Sequence, residues 1–157
     1  SDVCSSDLAP GWTVSPDSLG LQDQMGLSYC SDSRGSHPFY PVMNGQRFNT
    51  LQIPTTLPTA DELLGRDGLT PDDLPDYYCK QLKPGLNVLT VHTELEGGVI
   101  RTSFSRLLEL LTHNNIPCIT LAEARAQITT APTCHLAMGM IQGRSLPVAL
   151  QGDEVTP

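Results

Sequence analysis

Residues 86–93 read LNVLTVHT, and this stretch does more than any other to predict the fold. Apolar and β-branched side chains fall on both alternating faces, a pattern typical of a strand buried inside a parallel sheet. A Pro-Gly pair precedes the stretch, and a Gly-Gly pair follows it after a short acidic segment. We therefore predict a buried parallel strand that ends near His92.

Helix signals lie on both sides of this strand. Ser15 and Gly26 are residue types that begin and end helices, and Thr59 with Glu62 forms a capping-box pattern. Leu107 belongs to an apolar stripe with the spacing of an amphipathic helix, which is expected to end at the Asn-Asn pair that follows it. Strands and helices that alternate with short connections predict an α/β fold with parallel strands.

The remaining segments carry weaker signals. Short strands are expected at residues 27–31, 51–53 and 117–120. Residues 37–50 are rich in Pro, Gly and Asn and are expected to form a loop. After Ala131 the pattern weakens, so residues 131–157 are expected to be a C-terminal extension or tail.

Composition excludes several classes of function. The formal net charge of -8 argues against a nucleic-acid partner, because phosphate binding needs a basic face. The five cysteines are widely spaced and form no C-x-x-C pair, so we expect reduced thiols and no zinc knuckle. No apolar run approaches the roughly 20 residues of a membrane-spanning helix.

The first eight residues, SDVCSSDL, match the translation of one frame of a common sequencing adapter. All eight codons agree, so we interpret residues 1–8 as a translated artefact with no packing role, fused to a truncated reading frame. Residues added in this way are excluded from the prediction of the fold.

Candidate functional residues follow two of the predicted strands. His92 ends the best strand, and Glu94 and Glu96 would share a face with it if the strand continued. A histidine there could exchange a proton near neutral pH, with a carboxylate to orient its ring. The alternatives are a core histidine and a solvated acidic turn.

Asp32 and Arg34 follow the predicted strand at residues 27–31. Ligands of parallel α/β folds bind at the C-terminal ends of strands, where an arginine is suited to a carboxylate or phosphate. A simple salt bridge within the turn is the alternative. No pair of histidines has metal-ligand spacing, and no Gly-rich phosphate loop is present.

Five sequence stretches occur in an order that points to a known family. They read APGW (9–12), YCSDSRG (29–35), PF (38–39), QIPTTLPTADELLGRD (52–67) and TVHTELEGG (90–98). Together they resemble the C-terminal half of the polysaccharide deacetylase (NodB-homology) family, and within it the deformylases of aminoarabinose–lipid synthesis. The resemblance covers about residues 9–121 and fades beyond them. Residues 9–130 would then be the C-terminal half of a catalytic domain.

The resemblance implies a distorted (β/α) barrel and a divalent metal, zinc or similar, in the complete enzyme. In the family an aspartate and two histidines from N-terminal motifs hold that metal, and these motifs do not occur here. We therefore expect no metal ligand in this chain and no activity of the chain alone. In the reaction, the metal would polarise the amide carbonyl and activate water.

The family's last motif carries a histidine that protonates the leaving amine, and His92 matches that position. Asp32, Arg34, Glu94, Glu96 and Trp12 are expected to contact the substrate or to support residues that do. One departure concerns Thr13, which follows Trp12 where the deformylases often carry arginine. This departure favours the broader family assignment over one exact substrate.

The implied function is hydrolysis of an N-formyl or N-acetyl group on an amino sugar, which could be linked to undecaprenyl phosphate. The expected location is the cytoplasm or the inner-membrane periphery of a bacterium. Two alternatives are a non-catalytic carbohydrate- or lipid-binding module of the same fold and an unrelated small α/β domain. The full reading frame would discriminate between the enzyme and the binding module, because only an enzyme needs the metal-binding motifs.

Overall fold

The computed structural model describes residues 6–156, which form two compact units. The first unit contains residues 6–56 and 121–156, and the second contains residues 57–120. In chain order the elements are β1 (Ser6–Asp7), α1 (Pro16–Met25), β2 (Tyr29–Cys30), β3 (Tyr40–Met43), β4 (Gln46–Arg47), α2 (Ala60–Leu63), α3 (Leu74–Gln81), α4 (Arg101–His113), α5 (Leu121–Gln127), β5 (Thr133–Gly139) and β6 (Val148–Glu154).

Helix α1 begins and ends where its sequence predicts. The Ser15 hydroxyl accepts a hydrogen bond from the Ser18 amide at 3.2 Å, and the Ser18 hydroxyl accepts one from the Ser15 amide at 2.9 Å. Gly26 ends the helix in the left-handed conformation, with φ 65°. This reciprocal cap satisfies amide groups that would otherwise have no partner in the first turn.

The first unit is built on a mixed sheet in the order β4-β3-β5-β6. Strand β3 pairs with β5 in parallel, whereas β3–β4 and β5–β6 are antiparallel pairs. Its buried core is formed by the cluster Val14, Leu19, Phe39, Met43, Phe48, Cys134, Leu136 and Ala149. The mixed α/β class is confirmed, but the sheet is not purely parallel.

Beyond β2 the chain stays extended and joins two neighbouring segments. Thr55 donates its amide to the Ser33 carbonyl at 2.9 Å, and Gly35 donates to the Thr55 carbonyl at 3.2 Å. On the other side, the Arg34 amide donates to the carbonyl of Ala149 in β6 at 2.8 Å. These bonds fix the backbone that carries Asp32 and Arg34.

The second unit is mainly helical. Its apolar cluster contains Leu57, Ala60, Leu63, Leu74, Tyr78, Ile100 and Leu107. Helix α2 begins at the predicted capping box, in which the Glu62 carboxylate accepts the Thr59 amide at 3.0 Å. Helix α4 places Leu107 in the core and ends before Asn114, as its stripe predicts.

The strand predicted at residues 86–93 is wrong. Residues 86–92 belong to no strand, although the Leu57 amide donates to the Val88 carbonyl at 3.1 Å. Helical backbone begins at Thr93 and continues as the wide turn Leu95–Val99. The predicted burial is also incomplete, since Val88 is buried but Val91 is 45% exposed. A strand requires a paired neighbour, which local sequence cannot supply.

Three other expectations also need correction. The predicted loop at residues 37–50 contains the β3–β4 hairpin, and the predicted strand at residues 117–120 is absent. The chain after Ala131 forms β5 and β6, so residues up to Glu154 are part of the sheet. The strand expected at residues 27–31 is present as the shorter β2.

The N-terminal segment also departs from expectation. Ser6 and Asp7 pair in parallel with Tyr29 and Cys30, and the Ser31 amide donates to the Asp7 carbonyl at 3.1 Å. Main-chain pairing depends little on side-chain identity, so an extended segment of any origin could fill this edge. The adapter interpretation of residues 1–8 stays a prediction, and residues 1–5 lie outside the described residues.

Candidate functional site

His92 lies in the second unit, just before the helical turn that begins at Thr93. Its Nδ1 lies 3.9 Å from Oδ1 of Asp61, and the two side chains are 39% and 38% exposed. Nδ1 itself is shielded from solvent and makes no hydrogen bond within residues 6–156. The ring therefore has one nitrogen beside a carboxylate, which leaves Nε2 as the nitrogen suited to proton exchange with a ligand.

Asp61 is positioned by the start of α2. The hydroxyl of Thr59 donates to Oδ1 of Asp61 at 2.5 Å, so the cap of the helix also fixes this carboxylate. A fixed carboxylate beside one ring nitrogen orients a histidine without taking part in the proton transfer itself. Asp61 thus holds a fixed carboxylate 3.9 Å from Nδ1 of His92, without a hydrogen bond to it.

The two predicted glutamates do not share a strand face with His92, because the chain has turned into a helix. The Glu96 carboxylate folds back and accepts the His92 amide at 2.6 Å, while the Glu96 amide donates to the His92 carbonyl at 3.0 Å. Glu96 is buried, whereas Glu94 is exposed. Glu96 therefore fixes the backbone of His92, and Glu94 is the glutamate accessible from solvent.

Buried acids surround Tyr78, whose hydroxyl has no hydrogen-bond partner in the described part of the chain. Burial raises the pKa of Tyr78 well above its usual range, and the charges of Glu96 and Glu62 add to this effect. Glu62 and Glu96 are only 2% and 5% exposed. Tyr78 therefore stays protonated and keeps an O–H group that can donate a hydrogen bond.

Asp61 is a potential metal ligand that lies near the His92 ring. Across residues 6–156, no group of three or more His, Cys, Asp and Glu side chains is arranged to hold an ion. His92 and Asp61 provide two such groups, but their separation is that of a loose ion pair.

Asp32 lies in the first unit and is completely buried. Its carboxylate accepts the Ala9 amide on one oxygen and Nε2 of Gln22 on the other at 2.6 Å, while its own amide donates to Oε1 of Gln52 at 3.1 Å. Burial raises the pKa of Asp32, and the hydrogen bonds from Ala9 and Gln22 partly oppose that effect. These bonds favour a role through neighbouring residues over direct contact with a substrate.

Trp12 and Arg34 are brought together in the same unit. The guanidinium carbon of Arg34 lies 4.8 Å from the centroid of the Trp12 ring, and that of Arg144 lies at the same distance. Trp12 is 3% exposed and has a left-handed backbone with φ 52°, which is uncommon for a bulky residue. The ring is a fixed platform for two cations.

The predicted residues thus fall into two sets, each inside one unit. Trp12, Asp32 and Arg34 belong to the first unit, and His92, Glu94 and Glu96 to the second. Sequence reasoning missed Asp61 and Arg144. Asp61 was accounted for as part of a capping box, and Arg144 lies in a segment without periodic pattern.

Comparison with known proteins identifies relatives. No family model matches the chain. It is 36% identical over 114 residues to a protein of Shewanella sediminis (strain HAW-EB3) named "Probable 4-deoxy-4-formamido-L-arabinose-phosphoundecaprenol deformylase ArnD", a match covering 72% of this chain and 36% of that relative. A protein of the same name from Wigglesworthia glossinidia brevipalpis is 31% identical over 147 residues, covering 91% of this chain and 51% of the relative.

The chain is a relative of these deformylases. The resemblance to the polysaccharide deacetylase family predicted from its sequence is therefore confirmed. The chain spans between about a third and about half of the length of the curated relatives it matches, which fits the prediction that it corresponds to one part of them. Both relatives come from bacteria. Within residues 6–156, no helix is both long and apolar enough to cross a membrane.

Proposed function

We propose that this chain supplies the leaving-group acid and part of the substrate-binding surface of an amide hydrolase. The substrate would be an amino sugar with an N-formyl or N-acetyl group, including a lipid-linked aminoarabinose. The observation that carries the proposal is the Asp61 carboxylate 3.9 Å from Nδ1 of His92. It supports the role that the family resemblance implies for His92.

The proposed step is a proton transfer. When water has added to the amide carbon, the C–N bond breaks, and the leaving nitrogen takes a proton from Nε2 of His92. Asp61 holds the ring while this happens, and Glu96 fixes the main chain of the histidine. General acid catalysis of this kind contributes about a hundred- to ten-thousand-fold to a rate.

The proposal also covers the metal site, the fold and the location of the complete enzyme. The divalent metal, its ligands and the base that activates water are proposed to belong to a part of the enzyme outside this chain, so the chain alone is expected to be inactive. The parallel pairing of β3 with β5 and of residues 29–35 with 52–55 supports a portion of a distorted (β/α) barrel. We place the enzyme in the bacterial cytoplasm or at the periphery of the inner membrane.

A chimera tests the proposal. This chain replaces the matching segment of the Shewanella sediminis relative, and deformylation of a formamido sugar is measured. We expect His92→Ala to lower turnover about a hundred-fold or more. Asp61→Asn should lower it less, by about ten-fold, because the ring keeps its acid function and loses only the nearby charge. His113→Ala, at an exposed position on α4, is the matched control and should stay within two-fold.

Bound metal and melting temperature of the same variants separate catalysis from folding. If His92 is catalytic, the His92→Ala variant keeps the bound metal and the melting temperature of the parent chimera. If His92→Ala instead lowers the melting temperature and keeps normal turnover per folded molecule, His92 is a structural residue and the proposal is wrong. A chimera that binds the sugar without hydrolysing it would favour the non-catalytic binding module.

A further inference from the structure

A buried tyrosine hydroxyl in the second unit has chemistry that the proposed reaction does not use. Tyr78, on α3, is 4% exposed, and its hydroxyl makes no hydrogen bond within residues 6–156. A buried polar group without a partner costs free energy, so such a group in a folded protein calls for an explanation. The search for a partner leads to the acid that binds the main chain of His92.

Glu96 has the complementary need. It is 5% exposed, and its Oε2 accepts the His92 amide at 2.6 Å. Among the residues that the structure describes, no group donates a hydrogen bond to Oε1. A carboxylate has about four acceptor positions, and burying it is costly unless several of them are filled. A further donor at Oε1 would therefore hold the carboxylate, and with it the main chain of His92.

Tyr78 and Glu96 line the same small cavity, which is formed by α3, the turn Leu95–Val99 and α4. The cavity has about 10 Å³ of room for water, about the least that holds a single molecule. Its wall is otherwise mostly apolar, and Ser103 of α4 supplies a third polar group. A water molecule there has three polar neighbours, which is the number that buried waters typically bind.

The chemistry of the tyrosine suits a donor. Burial raises the pKa of Tyr78, and the charge of Glu96 adds to this effect, so the hydroxyl keeps its proton. Water can accept this O–H and donate one of its own hydrogens to a carboxylate, and such a bridge is nearly as favourable as a direct hydrogen bond. One molecule thus joins a donor that needs an acceptor to an oxygen that needs a donor.

We propose that Tyr78 is a positioning residue for His92 that acts through Glu96. Its hydroxyl donates to one water in the cavity, the water donates to Oε1 of Glu96, and Oε2 holds the His92 amide. This inference rests on the proposed function, because it adds a residue that fixes the leaving-group acid. All of these residues lie in the second unit.

Amide hydrogen exchange at His92 tests the link, because this amide is the group that Glu96 holds. NMR measures it on the intact 157-residue chain. Tyr78→Phe keeps the ring and removes only the hydroxyl. We expect exchange at His92 to become about ten-fold faster, the effect of weakening a hydrogen bond to a charged group. The amide of Leu107, inside α4, should exchange at the parent rate.

Tyr77→Phe is the matched control. Tyr77 is the neighbouring, half-buried tyrosine, its ring packs edge-on against that of Tyr78, and the variant loses the same hydroxyl. It should leave exchange at His92 at the parent rate. In the chimera, Tyr78→Phe should lower turnover about three-fold or more, since the acid is held less precisely. Tyr77→Phe should leave turnover unchanged.

A double-mutant cycle shows whether Tyr78 acts through Glu96. Glu96→Met keeps a side chain of similar length and removes the carboxylate, so exchange at His92 should become faster. Adding Tyr78→Phe to this variant should then change the rate by no more than about two-fold, because the group through which Tyr78 acts is gone. A role of Tyr78 in packing alone predicts that the two effects add.

Three results would overturn the inference. These are an unchanged exchange rate at His92 in Tyr78→Phe, equal acceleration at His92 and Leu107, and a full effect of Tyr78→Phe in the Glu96→Met background. The exchange measurement involves no turnover. A coupled pair in exchange, with normal turnover of the His92→Ala chimera, would contradict the proposed function alone. An uncoupled pair, with a chimera that depends on His92, would contradict the Tyr78 link alone.

Discussion

The side chain of Gln151, in β6, forms hydrogen bonds with the main chain of the loop that follows Gly35. Its Oε1 accepts the Ser36 amide at 2.7 Å, and its Nε2 donates to the His37 carbonyl at 3.1 Å. A Cβ on Gly35 would lie 2.4 Å from that Oε1 and 2.8 Å from the Cβ of Gln151. Only glycine lets the side chain of Gln151 approach this closely.

We expect Gly35→Ala to destabilise the first unit by about 1–3 kcal/mol, the usual cost of forcing an extra group into a packed site. Urea unfolding measures the change. Gly20→Ala is the matched control, because a Cβ there meets nothing within 4 Å and Gly20 lies inside α1. It should stabilise by about 0.5–1 kcal/mol. A Gly35→Ala variant as stable as the parent would contradict the steric account.

At the scale of single residues, the sequence offered candidates but not the side chains that contact them. His92 was identified from its place in the family's last motif, but Asp61 lies 31 positions earlier and meets it only through the fold. Arg144 was missed because nothing local distinguishes a loop arginine that packs on a distant tryptophan. Side chains that act together across a fold leave no pattern in a single sequence.

For helices and strands too, features set by neighbouring residues were predicted and pairings of distant segments were missed. The caps at Ser15 and Thr59 were predicted because their partners lie within one turn of the chain. The four-stranded sheet was missed because it joins β3 to β5, some 90 positions apart. One strand signal was nevertheless available. Asn44-Gly45 is the residue pair typical of a tight hairpin turn, and it connects β3 to β4.

That turn provides a test at the scale of an element. Asn44 and Gly45 both have left-handed backbone, with φ 52° and 80°. A Cβ on Gly45 would meet nothing within 4 Å, so Gly45→Ala should cost only the backbone penalty of about 1–2 kcal/mol. Urea unfolding should show this loss, while the dependence of the unfolding free energy on urea concentration stays unchanged. An unchanged midpoint would mean that the turn does not constrain the β3–β4 pair.

At the scale of the whole molecule, buried Asp32 links stability to pH. Its folded-state pKa is raised above 3.8, mainly by burial. A raised pKa means that the folded chain favours the protonated carboxyl. The contribution of Asp32 is therefore fully present below its unfolded-state pKa and is lost as pH rises through the folded-state value.

Asp32→Asn should remove this dependence. We expect the free energy of unfolding of the parent, minus that of Asp32→Asn, to decrease as pH rises above about 4 and then to level off. Urea unfolding of both proteins at a series of pH values measures the difference. A difference that increases with pH would mean that the bonds from Ala9 and Gln22 outweigh the effect of burial.

The pairing of β1 with β2 has a consequence for protein engineering. Ser6 and Asp7 occupy the edge at Tyr29 and Cys30 through main-chain groups, which any extended peptide can provide. An affinity tag or linker joined ahead of Ala9 would compete for the same main-chain groups of β2. The edge is also a natural point for reassembling a split enzyme, because a donor peptide could be varied in sequence without losing the hydrogen bonds that hold it.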